Sequence, residues 1–317
     1  MKRELNFIVS AFILIMLTQT GCRKAPAPAE EIRAEISDTV PKALPARPLS
    51  GDFKKYWYSG VAELNSYELE QARYGELRDG EAVLIYVTEP FDLEKQVKAD
   101  LPGEKSTSVL KLNRVRKFMT GVYPYSIMSS IFYPVSDNQH ALKVTTSVQE
   151  WCGHAYTQVN RGEEFEIVSH SYFEAEADQN LSLPLTLLED ELWTRIRFEP
   201  DALPAGDMEV IPSLEYLRLK HRPIKSYKAT GTLSEPGETR TYTLTYPGLN
   251  RTLQIHFEGT FPYRIEGWTE TFQAGFRTGS GMITSTAKRK KTLMTPYWQK
   301  NSREDESLRD SLGLRLK

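Results

Sequence analysis

Apolar and polar residues alternate with a period of two along most of this chain. In residues 252–258, for example, Leu253, Ile255 and Phe257 are apolar and the positions between them are polar, which is typical of a half-buried β-strand. Residues 242–246 alternate in the same way, and a Pro-Gly-Leu-Asn sequence separates the two segments. Because proline, glycine and asparagine favour turns, the pattern predicts a β-hairpin here.

A second hairpin is predicted around the dipeptide Asp79-Gly80, between residues 67–77 and 82–88, because Asp-Gly favours the tight turns that join antiparallel strands. Its second arm is apolar on both faces, so we expect it to lie inside the sheet. The same reasoning predicts further strands at residues 108–119, 126–133, 141–150, 152–159, 164–174, 208–220, 224–233, 263–272 and 283–293.

Two short helices are predicted in addition to the strands. The first follows Pro184, which favours the first turn of a helix, and it rests on four apolar residues at helical spacing: Leu185, Leu188, Leu192 and Ile196. The second lies near the C-terminal end, where Ser302 and Asp305 match a capping box. Leu308 and Leu312 would then form its short apolar stripe.

Together these elements predict a mainly β protein. About a dozen antiparallel strands without alternating helices exclude a doubly wound fold. They favour one large curved antiparallel sheet, as a half-barrel, barrel or sandwich, with one or two short helices. We expect the β-rich body to occupy residues 52–300 and a C-terminal helix and tail to occupy residues 301–317. A division near residues 200–212 is an alternative, but one continuous sheet is preferred.

The first residues have the organisation of a secretory signal peptide. Lys2 and Arg3 precede an apolar run at residues 7–17, and small and polar residues follow it up to Gly21-Cys22. The apolar run is too short to cross a bilayer as a helix. Residues 1–21 are therefore predicted to be a signal peptide.

Cys22 resembles the acylated cysteine of a bacterial lipobox, so we expect a lipid anchor there. Gln19 departs from the lipobox pattern, and the alternative is ordinary signal-peptidase cleavage with a free thiol at Cys22. Residues 22–50 are rich in Pro, Ala and Glu, which predicts a semi-stiff tether. Because no aspartate follows Cys22, the segment resembles lipoproteins sorted to an outer membrane, and we expect the protein to face the periplasm from there.

Composition and charge exclude several classes of function. The chain has 40 Lys and Arg against 42 Asp and Glu, so no strong positive field favours a nucleic-acid partner. Two cysteines exclude a disulfide-dense scaffold and a zinc site built from several thiolates. The sequence also lacks Gly-x-Ser-x-Gly, a P-loop, a dinucleotide fingerprint and His-Glu-x-x-His. We therefore expect no cofactor, and an enzymatic role is open but not favoured.

One group of residues has the chemistry of a catalytic or metal site. If residues 160–162 form a three-residue hairpin loop, Cys152 lies opposite His170. Alternation then places four candidate catalytic residues on one face of the sheet: Cys152, His154, His170 and Glu174. A thiol beside an imidazole is an activated nucleophile, and Cys152, His154 and His170 are also of the types that bind zinc. The alternative is an ordinary sheet face without a chemical role.

Aromatic residues indicate a different kind of site. Phe, Trp and Tyr make up 11% of the chain, and a curved sheet lined by them is able to enclose an apolar ligand. The candidate ligand-binding residues are Trp57, Tyr86, Tyr156, Tyr172 and Trp268. The alternative is an ordinary core, since aromatic residues favour strands.

Four segments carry a family resemblance: YELEQARYG at residues 67–75, EKQVKAD at 94–100, VQEWCGH at 148–154 and SHSYFE at 169–174. In these the chain resembles a family of uncharacterised flavobacterial-type envelope lipoproteins, over residues 56–312. Members are often labelled septum formation inhibitor Maf, but the Ser-x-Ser-Pro-Arg-Arg loop of true Maf pyrophosphatases is absent here. The resemblance therefore implies no Maf activity. The predicted architecture is similar to lipoprotein carriers, whose half-barrels hold acyl chains.

The sequence thus predicts a membrane-anchored envelope lipoprotein that binds a lipid, another apolar ligand or an envelope protein. One alternative is a hydrolase or metal-binding protein centred on Cys152 and the two histidines. Another is a structural or assembly factor of the outer membrane. An open aromatic cavity would favour the first hypothesis, convergence of the cysteine with both histidines the second, and a filled interior with an exposed apolar patch the third.

Overall fold

The computed structural model describes residues 47–275 and 281–314, so the predicted signal peptide, Cys22 and most of the predicted tether lie outside the described residues. The four α-helices in the described ranges are α1 (Gly51–Trp57), α2 (Glu189–Arg195), α3 (Leu214–Leu219) and α4 (Ser307–Ser311). None of the helices described is long and apolar enough to cross a membrane. The sixteen strands described are β1 (Ala62–Arg73), β2 (Glu76–Asp92), β3 (Val97–Lys98), β4 (Ser106–Thr120), β5 (Tyr123–Pro134), β6 (Lys143–Glu150), β7 (Gly153–Arg161), β8 (Phe165–Ser171), β9 (Gln179–Leu183), β10 (Leu187–Leu188), β11 (Gly206–Ile211), β12 (Tyr227–Leu233), β13 (Thr239–Tyr246), β14 (Arg251–Glu258), β15 (Ile265–Gln273) and β16 (Met282–Thr295).

All of these strands belong to one sheet. Their order is β10-β11-β12-β13-β14-β15-β16-β1-β2-β4-β5-β6-β7-β8-β9, with β3 attached to β2. Neighbours on this path are antiparallel except for the short parallel pair β10 and β11. The sheet is curved but not closed, and its two edge strands, β9 and β10, are joined through residues 184–186. The predicted mainly β fold built on one large curved antiparallel sheet is confirmed.

Burial along the strands follows the alternation in the sequence. In β14, Leu253, Ile255 and Phe257 are at most 2% exposed, and the residues between them are partly exposed. The buried side chains pack against α2 and α3, which share the main core with them. Trp193 of α2, for instance, meets Trp268 of β15 edge to face, with ring centroids 5.1 Å apart. We call the sheet face that α2 and α3 cover the inner face.

Because the strands are antiparallel, their turns alternate between the two ends of the sheet. The end that carries the β1–β2 turn at residues 74–75, the β4–β5 turn at 121–122 and the β6–β7 turn at 151–152 is named the upper end here. The C-terminal residues of β8 and β15 lie at the same end. Residues far apart in the sequence are therefore brought together at the upper end.

The predicted position of the β1–β2 turn is wrong. Asp79 and Gly80 lie within β2, and the turn is made by Tyr74 and Gly75, whose φ angles are 56° and 83°. Two positive φ values are what a tight hairpin turn requires, but tyrosine rarely adopts one, so the sequence gives no signal for it. Gly80 instead permits close contact with β4, since a Cβ atom there would lie 2.5 Å from the carbonyl oxygen of Lys117.

The predicted strand at residues 208–220 is wrong in its second half, where the chain forms α3. Ser213 precedes this helix, and its hydroxyl accepts a hydrogen bond of 3.2 Å from the backbone N–H of Tyr216. Such an N-cap satisfies one of the free N–H groups at a helix start. The proline before Ser213 also ends the strand, because it cannot donate to the ladder.

The two predicted helices are present, with one shifted boundary. The helix expected just after Pro184 begins only at Glu189, because the preceding Leu187–Leu188 pairs with β11 as β10. Near the C-terminus, the backbone N–H and the hydroxyl of Ser302 both donate to the Asp305 carboxylate, and α4 follows.

The chain already contacts the body a few residues before α1. The Arg47 guanidinium donates a hydrogen bond of 2.6 Å to the carbonyl oxygen of Asp137. It also lies 4.7 Å from the centroid of the Phe198 ring. Residues 47–50, the last part of the predicted tether, are therefore packed against the sheet structure.

We predict that Gly80→Ala destabilises the protein by about 1–3 kcal/mol, because the added methyl group would press on the β4 backbone. The free energy of unfolding from urea titration measures this effect. Gly248→Ala is the matched control, since a Cβ atom at Gly248 meets nothing within 4 Å. Equal stability of the two variants would contradict the role given to Gly80.

Candidate functional site

The predicted register of the β7–β8 hairpin is wrong. The strands pair Tyr156 with His170, and the loop lies at residues 162–164, two residues later than predicted. Cys152 is therefore not opposite His170 but lies in the β6–β7 turn, before β7 begins. The slip involves an even number of residues, so the same side chains stay on the outer face while the cysteine and the histidine are separated.

The four predicted catalytic residues are exposed and do not converge: Cys152, His154, His170 and Glu174. The backbone N–H of Cys152 donates a 2.6 Å hydrogen bond to Glu150, and hydrogen bonding to this carboxylate raises the pKa of the thiol. The imidazole Nδ1 of His170 lies 3.2 Å from the exposed Asp178 carboxylate instead. Among the residues described, no three His, Cys, Asp or Glu side chains are placed to hold a metal ion.

The five predicted ligand-binding aromatics divide between the core and the surface. Trp57, Tyr86 and Trp268 are at most 2% exposed and belong to the main core, where the rings of Trp57 and Tyr86 lie 6.0 Å apart. Tyr156 and Tyr172 are 40% and 79% exposed. The inner face is therefore filled at the buried positions, and the five residues do not line one cavity.

A network of buried charges on the inner face was not anticipated from the sequence. Helix α2 begins with Glu189, Asp190 and Glu191, none of them more than 2% exposed. Glu189 accepts a hydrogen bond of 2.6 Å from Arg251 of β14, and Asp190 accepts one of 3.0 Å from Arg114 of β4. Ion pairs thus join α2 to strands on both sides of β1 in the sheet.

Helix α3 extends this network toward the upper end. Its Glu215 lies 3.1 Å from the guanidinium of Arg116 in β4. Arg251 bonds to Glu270 of β15 at 2.7 Å and lies over the ring of Tyr216, 4.1 Å from its centroid. The helices are therefore held to the sheet by charge as well as by apolar packing.

The pKa values of two carboxylates of α2 are shifted in opposite directions by this environment. Burial raises the pKa of Glu189, but the adjacent Arg251 outweighs burial, and the net pKa is lowered. For Asp190 burial dominates over Arg114, and the carboxylates of Glu189 and Glu215 add to it, so its pKa is raised. Glu189 is thus the firmly ionised member of the pair.

The β4 sequence contains a signal for the network. Arg114 and Arg116 are in phase with the buried Leu110 and Leu112, so the period-two pattern directs two charged side chains to the inner face. A charge at a core position of a strand requires a buried partner. The acidic start of the predicted helix at Glu189 supplies it.

A polar pocket runs from the network to the upper end of the sheet. Its walls include Arg114 and Arg251 in the interior, and the exposed Gly75 and Gly275 at the upper end. The space inside it is about 20 Å³, which suits a single water molecule. The pocket therefore offers polar groups at its mouth but does not enclose an acyl chain.

Two cations lie at the mouth of the pocket. Arg73 donates hydrogen bonds to the carbonyl oxygen of Leu219 at 2.6 Å and to the hydroxyl of Tyr125 at 3.0 Å. Lys220 donates to the carbonyl oxygen of Gln273 at 3.2 Å. All three acceptors are neutral. We refer to Arg73 and Lys220 as the mouth cations.

Aromatic and apolar side chains, most of them exposed, gather around the same end. They lie at the three turns that join β1 to β2, β4 to β5 and β6 to β7, and just after β8. This aromatic rim consists of the half-buried Tyr123 and four exposed residues: Tyr74, Val122, Trp151 and Tyr172. The rings of Tyr123 and Trp151 are 6.2 Å apart, and the hydroxyl of Tyr123 donates to that of Tyr74 at 3.3 Å. Tyr74 in turn lies against the Arg73 guanidinium, 4.3 Å from its ring centroid. The rim is therefore continuous with the mouth of the pocket.

Comparisons with known proteins give one structural similarity. No protein-family model matches this chain, and no curated protein matches it significantly. Among solved structures, the chain is similar to a β-barrel-like protein of a domain of unknown function, DUF1849, from Brucella abortus. The TM-score is 0.45 at 8% sequence identity, and the match covers 74% of this chain and 98% of that one.

We predict that Lys220→Gln stabilises the protein at pH 7 and that this gain is lost as the pH rises toward about 10.5. Burial, with Arg73 and Arg222 nearby, lowers the pKa of Lys220 from 10.5 to about 8. Folding therefore disfavours the charged lysine below pH 8, and the wild-type protein recovers that stability between the folded and unfolded pKa values.

The melting temperatures of both proteins between pH 7 and pH 10.5 test this prediction. Lys117→Gln serves as the control, because Lys117 is exposed on the outer side of β4. A difference between wild type and Lys220→Gln that does not change with pH would show that the lysine is not destabilised by its surroundings.

Proposed function

We propose that this protein is a non-enzymatic binding protein of the cell envelope that binds an amphiphilic, lipid-like ligand at the upper end of its sheet. The aromatic rim is the observation that carries the proposal. A cluster of exposed large apolar side chains marks an interaction site on a protein surface. Trp and Tyr combine an apolar ring with a polar tip, which suits a ligand that has both kinds of surface.

The positions of the chemically reactive residues support a binding role. Cys152 and His170 lie on different elements of the outer surface and have no mutual contact. A nucleophile needs a base within hydrogen-bond reach, and hydrogen bonding to Glu150 raises the thiol pKa, which disfavours the thiolate. The geometry therefore favours binding over a hydrolase or a metal-dependent enzyme.

The filled inner face favours a second candidate, a structural or assembly factor that binds another envelope protein. Buried Trp57, Tyr86 and Trp268 leave no acyl-sized cavity among them, so any apolar partner would have to use the surface. The aromatic rim would then contact a protein instead of a lipid. Both candidates depend on the same end of the sheet, and they differ in what binds there.

We further propose that acyl chains on Cys22 hold the protein in the outer membrane, facing the periplasm. The charged start, the short apolar run and Gly21-Cys22 support this proposal. The residues between Cys22 and Arg47 would reach tens of ångströms from the membrane at about 3.3 Å per residue. Such a spacer leaves the upper end of the sheet free to meet a ligand.

We predict that the double variant Trp151→Ala, Tyr172→Ala binds a fluorescent lysophosphatidylcholine at least about tenfold more weakly than wild type, because two large ring surfaces are lost. The measurement is a fluorescence titration of the full chain with the lipid monomer. Trp298→Ala is the control, since Trp298 is 46% exposed but follows β16 at the opposite end of the sheet.

Equal affinity of the rim variant and the Trp298→Ala control would remove the rim as the lipid site. Absence of lipid binding by the wild-type protein, together with a protein partner whose binding depends on Trp151 and Tyr172, would favour the assembly factor. Each result assigns the rim to one of the two candidates.

For the anchor, we predict that Cys22→Ser moves the protein from the membrane fraction to the soluble periplasmic fraction. Loss of the acylated thioether removes the chains that provide stable attachment. Fractionation of cells and the intact mass of the purified protein are the readouts. Cys152→Ser is the matched control, and we expect it to stay in the membrane fraction. Retention of Cys22→Ser with the membrane would rule out this anchor.

A further inference from the structure

We propose that the mouth cations, Arg73 and Lys220, form a binding site for a phosphate group at the upper end of the sheet. This inference deepens the proposed function and rests on it in one respect, since the phosphate can be the headgroup of the amphiphilic ligand. Free inorganic phosphate is the other source of the same chemistry. The aromatic rim alone predicts neither a site for an anion nor the chemical class of that anion.

The buried arginines of the described residues are paired with carboxylates in all cases but one. Six arginines are buried in the described part of the chain: Arg73, Arg114, Arg116, Arg197, Arg240 and Arg251. Five of them lie within ion-pair distance of a carboxylate. Arg73 is 8% exposed and has no carboxylate partner among the described residues. It is thus the exception in a structure that otherwise neutralises its buried guanidinium groups.

The contacts of Arg73 satisfy its N–H groups without compensating its charge. Its acceptors are the carbonyl oxygen of Leu219 and the hydroxyls of Tyr74 and Tyr125. The guanidinium also lies over both tyrosine rings, 4.3 and 5.2 Å from their centroids. Burial of an uncompensated charge is costly. These contacts hold the planar group in a fixed orientation, so its uncompensated positive charge is presented to an oxyanion at a fixed position.

Further positive charge lies close to Arg73. Lys220 lies on the same pocket wall, held by the Gln273 carbonyl and by the Phe272 ring 3.8 Å from its nitrogen. The carboxylate that influences Lys220 is Glu270, and it is bonded to Arg251 at 2.7 Å. Its charge is therefore already engaged. Positive charges from Arg73 and Arg222 lower the pKa of Lys220 further.

Small residues line the mouth of the pocket. At the mouth, the lining residues Gly75, Ala274 and Gly275 carry little or no side chain. Gly75 has a φ angle of 83°, which glycine adopts readily and larger residues do not. Small residues on both sides thus place little side-chain bulk beside the two cations. A phosphate monoester with up to two negative charges matches an excess of two or three positive charges better than a singly charged carboxylate.

The position of Tyr74 links the phosphate site to the rim. Its hydroxyl accepts a hydrogen bond from Arg73 at 3.3 Å and another from Tyr123 at 3.3 Å. A phosphate held by the mouth cations would therefore stand beside the rim. The acyl chains of a phospholipid bound in this way would extend along Tyr123 and Trp151, and the headgroup would stay at the polar pocket.

The test is calorimetric titration of the full chain in a nonionic detergent with three probes. These are inorganic phosphate, dihexanoyl phosphatidic acid and dihexanoyl phosphatidylcholine, the last as the lipid without net charge. The variants are Arg73→Met and Lys220→Gln, and Lys117→Gln is the control for loss of one positive charge. Circular dichroism establishes that each variant is folded, and Lys220→Gln keeps the test informative if Arg73→Met does not fold.

We expect phosphatidic acid to bind more tightly than phosphatidylcholine, and the preference to fall about tenfold or more in either variant but not in Lys117→Gln. Higher salt should weaken the preference, because it screens exposed charges. Binding of inorganic phosphate with the same dependence on Arg73 and Lys220 would also support the site and would identify the free anion as a ligand.

The outcomes separate this inference from the proposed function. Equal affinity for the two lipids, unchanged in the Arg73 and Lys220 variants, would overturn the phosphate site and leave a lipid-binding rim intact. Phosphate binding that depends on both cations without any lipid binding would keep the site and overturn the lipid-like ligand. No binding of phosphatidic acid or phosphate would overturn the phosphate site.

Discussion

Three consecutive carboxylates at the start of α2 are buried on the inner face of the sheet, and each of them needs a partner there. Glu189 and Asp190 find theirs in Arg251 and Arg114, which come from β14 and β4. Removing one member of such a buried pair would leave an unpaired charge at a cost of about 3–5 kcal/mol. The curvature of the sheet is tied to this constraint, because both strands must approach the same short helix.

The same network fills much of the inner face of the sheet. With α2 and α3 packed between the strands, the inner face holds aromatic residues and ion pairs in place of an open cavity. At the upper end the pocket narrows to the size of a water molecule. A larger pocket of about 340 Å³ lies at the opposite end of the sheet, where its lining includes Leu49, Phe198 and Tyr263. The proposed binding role is assigned to the upper end because the aromatic rim and the mouth cations lie there. The half-barrel resemblance by itself would have directed attention to the interior.

The upper end combines an aromatic surface with a cationic one. The aromatic rim exposes Trp151 and Tyr172, and the mouth cations retain charge that no described carboxylate compensates directly. Tyr74 belongs to both, because its ring is exposed and its hydroxyl contacts Arg73. An amphiphile with an anionic headgroup is complementary to both surfaces at once, which a purely apolar or a purely ionic ligand is not.

Local patterns in the sequence were sufficient to predict the elements whose conformation does not depend on contacts with distant segments. Alternation at Leu253, Ile255 and Phe257 predicted β14, because strand burial has a period of two wherever one face is covered. The capping pair Ser302 and Asp305 likewise marked a helix start, because the two residues are three positions apart and their contact is local. The mainly β class followed from many such segments.

Tertiary structure decided the features that depend on pairing between distant segments. Tyr74 adopts a positive φ angle because the pairing of β1 with β2 places the turn there, against the local signal of Asp79-Gly80. The register of β7 and β8 separates Cys152 from His170, and the identity of the residues alone could not reveal it.

The candidate site was hidden for the same reason. Arg73 and Lys220 are separated by 147 positions in the sequence (220 − 73), and no local pattern relates them. They become neighbours because β1 and α3 both reach the upper end of one curved sheet. The sequence by itself thus determined the mainly β fold class and most of the strands. Only the packing of helices against the sheet decided which charges are compensated and which remain open to a ligand.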